Sequence, residues 1–388
     1  MDASIALILL QDGCVTGAVY ALLAVGLVLV FSVTRVIFIP QGEMVTYGAL
    51  TIAALQTNTF PVVIYLQIAL GGYIFLCEVW GAYKGARQLR IQMDQGNESP
   101  TGPQAASQQF RASEPTFQPS PNGYIPLVQS FVQFVFYPLV LWGVLLQIGS
   151  QFTFSDLGLF TQVLLTLLLV APIGPMLYKS VFEPLVDASI LVLLIVSVAL
   201  HLSLMGLGLW MFGAEGGRSK SLLDLRVDWG AFTMSGQSIF VVISSALIMI
   251  SFSLFFHYSM TAKALKATAI NRLGASLMGI KVKRAGQLSF LLAAFLGAFS
   301  GVLIGPITTI YYDSGFIIGL KGFVGAILGG MVGYPLAAGG ALFVGLMESY
   351  ISFWASAYKE VWVFSLIIPV LMWRSLKHPQ LLDEDESL

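Results

Sequence analysis

Long apolar stretches without charge constrain the fold of this chain more than any other feature. Residues 13–33 form the first of them and contain no charged side chain. About 20 such residues suffice to cross the hydrocarbon core of a bilayer as a helix. Comparable stretches recur along the chain, in which 57% of the residues are hydrophobic and only 10% are charged. Because soluble domains carry about 25% charged residues, the sequence predicts an integral membrane protein.

A segment inside a bilayer must satisfy its own backbone hydrogen bonds, which favours helices. We therefore predict an all-α polytopic bundle of about nine or ten transmembrane helices, some of them broken or rich in glycine. The number stays open because residues 44–56 could form a full crossing or a half crossing. Residues 1–61 and 153–376 hold the main helical bundle, and residues 377–388 form an acidic tail that we expect to be disordered.

The segment at residues 62–152 differs in character from the rest. Its two apolar runs, 61–83 and 125–148, enclose a stretch rich in Gln, Ser, Pro and Gly. Such a composition cannot bury a core. We therefore expect residues 84–121 to form a disordered cytoplasmic loop between two membrane helices.

A polar break separates the first apolar stretch from the next. Pro40 and Gly42 interrupt the run, and the carboxylate of Glu43 follows them. Broken helices that carry a charge at membrane depth tend to line cavities. An ordinary interfacial turn, with Glu43 in the first turn of the next helix, is an equally weighted alternative.

Glycines spaced four residues apart form two stripes in the second half of the chain. A stripe of this kind lets another helix approach closely. Paired apolar segments interrupted by Gly and Pro also indicate a transport pathway. We assign the individual glycines to helix packing and the region as a whole to the pathway. The six glycines are Gly297, Gly301, Gly305, Gly325, Gly329 and Gly333.

A basic hinge, defined as residues 258–286, lies between two long apolar segments. It holds six Lys or Arg residues and no carboxylate, which predicts that it faces the cytoplasm. Good helix formers predict a first helix with Thr261 as its N-cap, and Asn271 is expected to cap a second short helix that ends at Gly279. From composition alone, a solvated loop that only fixes topology is an equal alternative.

The hinge resembles the cytoplasmic coupling loop of permease subunits in ABC importers for branched-chain amino acids. The runs Ala267-Thr-Ala269 and Ala275-Ser-Leu277-Met-Gly279-Ile280 carry this resemblance. The family usually has acidic residues after the paired alanines, where this chain has Ile270 and Asn271. The resemblance implies that an ATPase subunit is contacted by Ala267, Ala269, Asn271, Ala275, Leu277, Gly279 and Ile280.

The resemblance extends to both ends of the main bundle, over about residues 13–56 and 161–374. Its motifs there are Tyr20-Ala-Leu22, Gln41-Gly42-Glu43, and Lys321 with the following Gly322-Phe323 and Ala326 to Gly330. It implies a translocation pathway that includes Gln41, Gly42, Glu43 and Lys321. The family passes directly over residues 62–152, which therefore look like an insertion, either a partner-binding appendage or a tolerated addition.

The family also implies the assembly and the place of the protein. Its partners would be a second permease subunit, two ATP-binding subunits and a periplasmic substrate-binding protein, in the bilayer of a bacterial inner membrane. No Gly-x-x-x-x-Gly-Lys-Ser/Thr loop is present, so we expect no ATP hydrolysis in this chain. The pattern of residues indicates no cofactor, no metal and no nucleic acid.

Two alternatives to branched-chain amino-acid import remain open. The same class of importer could carry urea, short amides or aromatic acids, because the separate binding protein makes most of the choice. An ATP-independent carrier or channel is a different class, for which carboxylates in mid-helix would be more typical. If the hinge is inside, alternation places the C-terminus inside as well and leaves the N-terminus open.

Overall fold

The computed structural model describes residues 3–95, 128, 130–229, 232–331 and 333–377. These residues divide into two compact units. The first unit combines Met1–Val63 with Ile148–Leu388, and the second is Ile64–Gln147. The second unit falls inside the segment 62–152, whose status as an insertion stays a prediction.

Helices make up most of the described chain. The helices are α1 (Ala3–Thr34), α2 (Gln41–Gln56), α3 (Val63–Gln95), α4 (Tyr137–Gln151), α5 (Leu159–Val170), α6 (Ile173–Leu177), α7 (Ile190–Phe212), α8 (Gly236–Tyr258), α9 (Met260–Ile270), α10 (Arg272–Leu277), α11 (Val282–Ile304), α12 (Ser314–Leu328), α13 (Tyr334–Ala355), α14 (Lys359–Ser365) and α15 (Ile367–Lys377). Two short strands, β1 (Arg226–Trp229) and β2 (Phe232–Ser235), pair antiparallel.

Eight helical stretches within the described residues are long and apolar enough to cross a membrane. This confirms the prediction of a polytopic all-α membrane protein. Two shorter helices accompany them: α2, which is buried along almost all of its length, and the apolar α12. These eight stretches are fewer than the predicted nine or ten transmembrane helices, because α2, with 16 residues, and α12, with 15, are shorter than the roughly 20 residues that a full crossing needs.

The last of the eight stretches, Tyr334–Trp373, folds back within its 40 residues, since Glu348 before Ala355 and Glu360 after it both contact Lys321. A continuous helix of that length would measure about 60 Å, which is twice the roughly 30 Å of a hydrocarbon core. The helix instead breaks at Ala355, whose φ of −148° is not helical, and a 3₁₀ turn at Ser356–Tyr358 leads into α14.

Helix α1 is the centre of the first unit. In its most apolar 18-residue window, 83% of the residues are buried, against 22% for α7. Helix α1 packs most extensively against α13 and also contacts α11, α12 and α8. Side chains such as Leu22 and Val28 are completely buried at these contacts. Helix α7 in contrast exposes most of its large apolar side chains, which suits a surface that faces lipid.

The predicted glycine stripes lie where helices approach most closely. A Cβ on Gly297 would lie 2.8 Å from the Cβ of Met44, and one on Gly301 would collide with the carbonyl of Val45, both on α2. On α12, a Cβ at Gly325 would lie 2.5 Å from the Cα of Ala341 on α13. These glycines let the backbones of neighbouring helices touch.

Three members of the stripes have other surroundings. Gly305 follows the end of α11, where a Cβ would lie 2.7 Å from Ser219 Oγ. Gly329 follows α12, and a side chain there would collide with the backbone at Ala337. Gly333 precedes α13, and a Cβ there would meet only Leu336 Cδ1 at an ordinary 3.8 Å, so its assignment to close helix packing was wrong. Helix α12 ends at Leu328, which takes Gly333 off the helical face.

The second unit contains α3 and the segment from a π-helical turn at Phe131–Phe136 into α4. Gly71 packs against the carbonyl of Phe134, and Ser130 donates a 2.9 Å hydrogen bond to Glu78. Helix α3 continues to Gln95, so the disordered loop predicted from residue 84 begins too early. Residues 84–95 hold mainly good helix formers, which explains the extension.

Two of the earlier predictions fall outside the residues that the structure describes. The remainder of the predicted loop, residues 96–121, is one of them. The acidic tail is the other, since Lys377 ends α15 and residues 378–388 are not described. Both stay predictions.

Candidate functional site

The break between α1 and α2 is held by one side chain of α7. Ser197 Oγ donates to the carbonyl of Ile37 at 2.6 Å and accepts from the backbone N–H of Ile39 at 3.1 Å. Arg35 begins the break with a φ of 60°. Irregular backbone inside a membrane protein needs such internal partners because lipid offers none. The hydrogen bonds of Ser197 therefore stabilise a non-helical segment within the bundle.

Helix α2 begins deep among the other helices. Pro40 precedes it, and the side chain of Gln41 donates to the carbonyl of Leu23 on α1 at 3.0 Å. Gly42 touches the backbone of Gly315 so closely that any Cβ would collide with its carbonyl. Three predicted pathway residues, Gln41, Gly42 and Glu43, are thus buried where α1, α2 and α12 meet.

Glu43 faces a histidine that the sequence analysis did not select. His201 Nδ1 on α7 lies 3.0 Å from Glu43 Oε1, and both side chains are almost inaccessible to solvent. The ring of Phe316 on α12 stacks on the imidazole with centroids 4.4 Å apart. Neither oxygen of Glu43 has an aligned hydrogen bond within the described residues. The two side chains are therefore close together, but their polar atoms are incompletely satisfied.

His201 belongs to a buried stripe along an otherwise exposed helix. The buried positions of α7 recur every three or four residues and are Leu193, Ser197, His201, Leu204 and Gly208. The carbonyl of Leu204 accepts a 2.7 Å hydrogen bond from Tyr47 of α2. A histidine one turn after a serine in an apolar segment was the available signal, but 157 residues separate His201 from Glu43 in the sequence.

A small apolar cavity of about 70 Å³ lies beside this arrangement. It is enclosed by the break, α1, α7 and α12, and Phe316 both lines it and stacks on His201. The lining residues are Leu27, Ile37, Phe38, Ile39, Leu194, Phe316, Gly319, Leu320 and Phe323. Phe316 thus lies between the cavity and His201, and neither His201 nor Glu43 is among the lining residues.

Lys321 has a separate set of partners. Its ammonium lies 2.5 Å from Glu348 Oε1 on α13 and 3.0 Å from Glu360 Oε1 on α14. The hydroxyl of Tyr20 donates to the second oxygen of Glu348 at 2.8 Å. These ion pairs hold α12 against both sides of the reversal at Ala355. The assignment of Lys321 to the pathway stays a prediction, and its contacts favour a structural role.

The basic hinge contains two short helices, α9 and α10. The side chain of Asn271 accepts a 2.8 Å hydrogen bond from the N–H of Gly274, which confirms it as the N-cap of α10. Gly279 follows the second helix with a φ of 82°. This left-handed conformation is the one expected of a glycine that ends a helix. The N-cap predicted for the first helix was wrong, because α9 begins at Met260 after Ser259 and places Thr261 inside the first turn.

An exposed apolar surface, defined as Ile270, Leu273, Leu277 and Met278, covers these two helices. Each of the four side chains is between 71% and 85% exposed. Of the predicted coupling residues, Asn271, Leu277 and Gly279 are exposed, and Ala267, Ala269 and Ile280 are partly so. Ala275 is buried in its own chain, and its assignment to a partner contact stays a prediction.

Most of the helices of this chain lie in a range that matches a known protein family. Residues 128–374, more than half of the chain, match the model of the family described as branched-chain amino acid transport system / permease component. The chain belongs to this family. The matched range starts at residue 128 and therefore includes the second helix of the segment 62–152, while α1 and α2 lie outside it.

Several curated proteins are similar to parts of this permease-family chain. The high-affinity branched-chain amino acid transport system permease protein LivH of Salmonella typhimurium is 33% identical over 168 residues, which are 42% of this chain and 50% of that protein. LivH of Escherichia coli K12 is 37% identical over 128 residues, which are 32% of this chain and 42% of the relative. The similarity spans about half the length of these relatives.

A third relative is matched over a longer range. The permease protein BraD of Pseudomonas aeruginosa, which carries the same description, is 26% identical over 216 residues, covering 54% of this permease-family chain and 70% of BraD. No solved structure matches the chain significantly. Family membership therefore rests on sequence similarity. The geometry of the candidate site is that of this chain and is not taken from a relative.

Proposed function

We propose that this chain is a transmembrane permease subunit of an ATP-driven importer for branched-chain amino acids. Membership of the permease family supports this proposal, as does the similarity to the branched-chain amino acid permease proteins LivH and BraD. The single observation that carries it is the exposed apolar surface on the two short helices of the basic hinge. These four large apolar side chains are exposed and lie outside the membrane-spanning stretches of the described residues. Such a surface indicates a protein partner.

The proposed assembly contains a second permease subunit, two ATP-binding subunits and a periplasmic substrate-binding protein. The sequence holds no phosphate-binding loop, so an external ATPase is needed for ATP to drive transport. In the proposed cycle, ATPase closure moves α9 and α10. That movement would switch the central helices between outward-open and inward-open states.

We place the chain in the bacterial inner membrane with its basic hinge in the cytoplasm, because the hinge is positively charged. The orientation of the other segments follows from this position. Val33, near the end of α1, packs with Leu265 of α9 in one apolar cluster. The opposite end of α1 lies beside the end of α13, where Ser349 donates to the carbonyl of Leu9 at 2.7 Å. The amino end of α1 is therefore proposed to face the periplasm, and α15 to end in the cytoplasm.

The experiment that tests the proposal introduces a charge into the exposed apolar surface. Leu277→Glu is the informative variant because Leu277 is 80% exposed. Gly279 is a less suitable position for the added charge, since its φ of 82° would strain any residue other than glycine. Leu225→Glu serves as the matched control, because Leu225 is also exposed but lies in the polar segment before β1.

We expect both variants to reach the membrane and only Leu277→Glu to lose the ATPase. The tagged chains would be purified from native membranes with their partners, and leucine uptake would be measured in the same cells. Retention of the ATPase and of uptake by Leu277→Glu would contradict the proposed coupling surface. Uptake by purified wild-type chain without nucleotide would favour the ATP-independent carrier. If the cells take up urea or aromatic acids but not leucine, the proposed cargo is wrong and those compounds take its place.

A further inference from the structure

We propose that one face of α3 binds an anionic phospholipid, with the acyl chains along apolar and aromatic side chains and the phosphate on two basic residues. This α3 stripe is defined as Tyr73, Leu76, Trp80, Tyr83, Lys84 and Arg87. It belongs to the second unit, which contains none of the residues assigned to coupling or to the pathway. Helix α3 also precedes the range that matches the permease family. The inference therefore goes beyond the proposed function.

The spacing of these residues places them on one face of the helix. An α-helix has 3.6 residues per turn, so positions three or four residues apart lie above one another. Such steps lead from Tyr73 through Leu76 and Trp80 to Lys84. Tyr83 and Arg87 lie beside this line, which makes the stripe continuous along the helix.

The opposite face of α3 packs inside the second unit. A Cβ on Gly71 would collide with the backbone of the π-helical turn Phe131–Phe136, and the ring of Phe75 lies with its centroid 5.4 Å from a phenylalanine ring of the same turn. Glu78 accepts its 2.9 Å hydrogen bond from Ser130, just before the turn. These three positions of α3 also recur every three or four residues. The helix thus has one packed face and one open face.

The open face is apolar and aromatic over most of its length. Its four uncharged members are between 54% and 67% exposed. They lie within Val63–Gly85, which is long and apolar enough to cross a membrane. Trp80 and Tyr83 come close to the end of this stretch, where tryptophan and tyrosine are typical of the boundary between lipid and water. Acyl chains are the natural cover for such a surface.

Two cations lie where the apolar stretch ends. Lys84 and Arg87 are both exposed. The ammonium of Lys84 lies 3.7 Å from the centroid of the Trp80 ring, which holds the charge next to the aromatic surface. An ammonium has three N–H donors, so contact with one ring leaves donors for a phosphate. The guanidinium of Arg87 can bind a phosphate through two hydrogen bonds.

The charge pattern favours an anionic lipid. The sequence has no carboxylate between Glu78 and Asp94, so the two cations have no negative partner at the neighbouring positions of the helix. Helix α3 has 33 residues, of which the apolar stretch takes 23, and Arg90 follows on the same face by helical register. Basic residues at the end of a membrane helix attract anionic headgroups. Phosphatidylethanolamine carries an ammonium group that these cations repel, whereas phosphatidylglycerol does not.

The test measures lipid binding to the purified full-length chain by native mass spectrometry in detergent. Phosphatidylglycerol and phosphatidylethanolamine with the same acyl chains would be titrated, and the two dissociation constants compared. Lys84→Gln combined with Arg87→Gln removes both cations of the stripe. Lys220→Gln combined with Arg226→Gln is the matched control, because it removes one exposed lysine and one exposed arginine between α7 and α8.

We expect the wild-type chain to bind phosphatidylglycerol about tenfold more tightly than phosphatidylethanolamine. The variant without the two cations should lose affinity for phosphatidylglycerol by about 25-fold, since each basic residue near an anionic surface contributes about fivefold. Its affinity for phosphatidylethanolamine should change much less. The control variant should bind phosphatidylglycerol as the wild type does.

Equal affinities of the wild-type chain for the two lipids would overturn the inference, and this result needs no variant that could misfold. Unchanged binding by the variant without the two cations, or an equal loss in the control, would also overturn it. Glycerophosphoglycerol, the headgroup without acyl chains, should fail to displace the lipid, and displacement at equal concentration would contradict a role for the apolar side chains. Leucine uptake is not measured, so failure here leaves the proposed function standing.

Discussion

Gly301 has no space for a side chain, because a Cβ there would collide with the carbonyl of Val45 on α2. We predict that Gly301→Ala lowers the free energy of unfolding by about 1–3 kcal/mol, the usual cost of overpacking. Gly206→Ala on α7 is the control, since its Cβ would meet nothing within 4 Å. There, removing a helical glycine should be neutral or stabilising. Thermal unfolding of both purified variants checks the difference, and equal stability would contradict close packing at Gly301.

Lys321 is buried between two carboxylates, so removing its charge should destabilise the protein. Lys321→Met leaves Glu348 and Glu360 without a cation, and breaking a buried ion pair in this way costs about 3–5 kcal/mol. Adding Glu348→Gln should restore part of the thermal stability, because one of the two uncompensated charges is then removed. Unchanged stability with abolished leucine uptake would instead place Lys321 in the translocation pathway.

Asn271 sets the geometry of the two helices in the basic hinge. Its side chain caps α10 through the N–H of Gly274 at 2.8 Å. Asn271→Ala should destabilise that short helix by about 1 kcal/mol, while Asn271→Ser keeps a capping oxygen. We predict weaker retention of the ATPase by the alanine variant than by the serine variant, measured by titrating ATPase subunit onto permease in nanodiscs. Equal affinity would show that the cap does not shape the docking surface.

Elements with a local signal could be predicted from the sequence. The break at Pro40 and Gly42, the cap at Asn271 and the turn at Gly279 each depend on residues within a few positions. Pairings between distant helices could not. His201 meets Glu43 across 157 intervening positions, and Glu360 meets Lys321 only because the chain reverses at Ala355. Such contacts depend on helix packing, which apolar composition alone leaves undetermined.

The solvent exposure of single residues could not be predicted from the sequence either. The motif suggested that Ala275 contacts a partner, yet its side chain is buried in its own chain, whereas Leu273 and Met278 are exposed. A short helix presents only one face, and the rotation of α10 is set by its contacts with neighbouring elements. Arg272 contributes one of these contacts by donating to the carbonyl of Val186 at 3.2 Å.

At the scale of the whole molecule, the packing of α1 determines which end of the bundle each loop occupies. Val33 clusters with Leu265 of the basic hinge, whereas Leu9 lies beside Ser349 at the far end of α13. Helix α1 spans 32 residues, which is about 48 Å at 1.5 Å per residue and exceeds a hydrocarbon core of about 30 Å. We therefore predict that its two ends lie on opposite sides of the membrane.

This arrangement predicts the outcome of thiol labelling in intact cells. In a background with Cys14 and Cys77 replaced by serine, Ser4→Cys should react with a membrane-impermeant maleimide added outside. Leu277→Cys should react only after the cells are opened, because the proposed orientation puts the positively charged hinge in the cytoplasm. Labelling of Leu277→Cys in intact cells, or protection of Ser4→Cys, would invert the topology. An inverted topology would put the exposed apolar surface on the side without ATP, where it could not couple transport to hydrolysis.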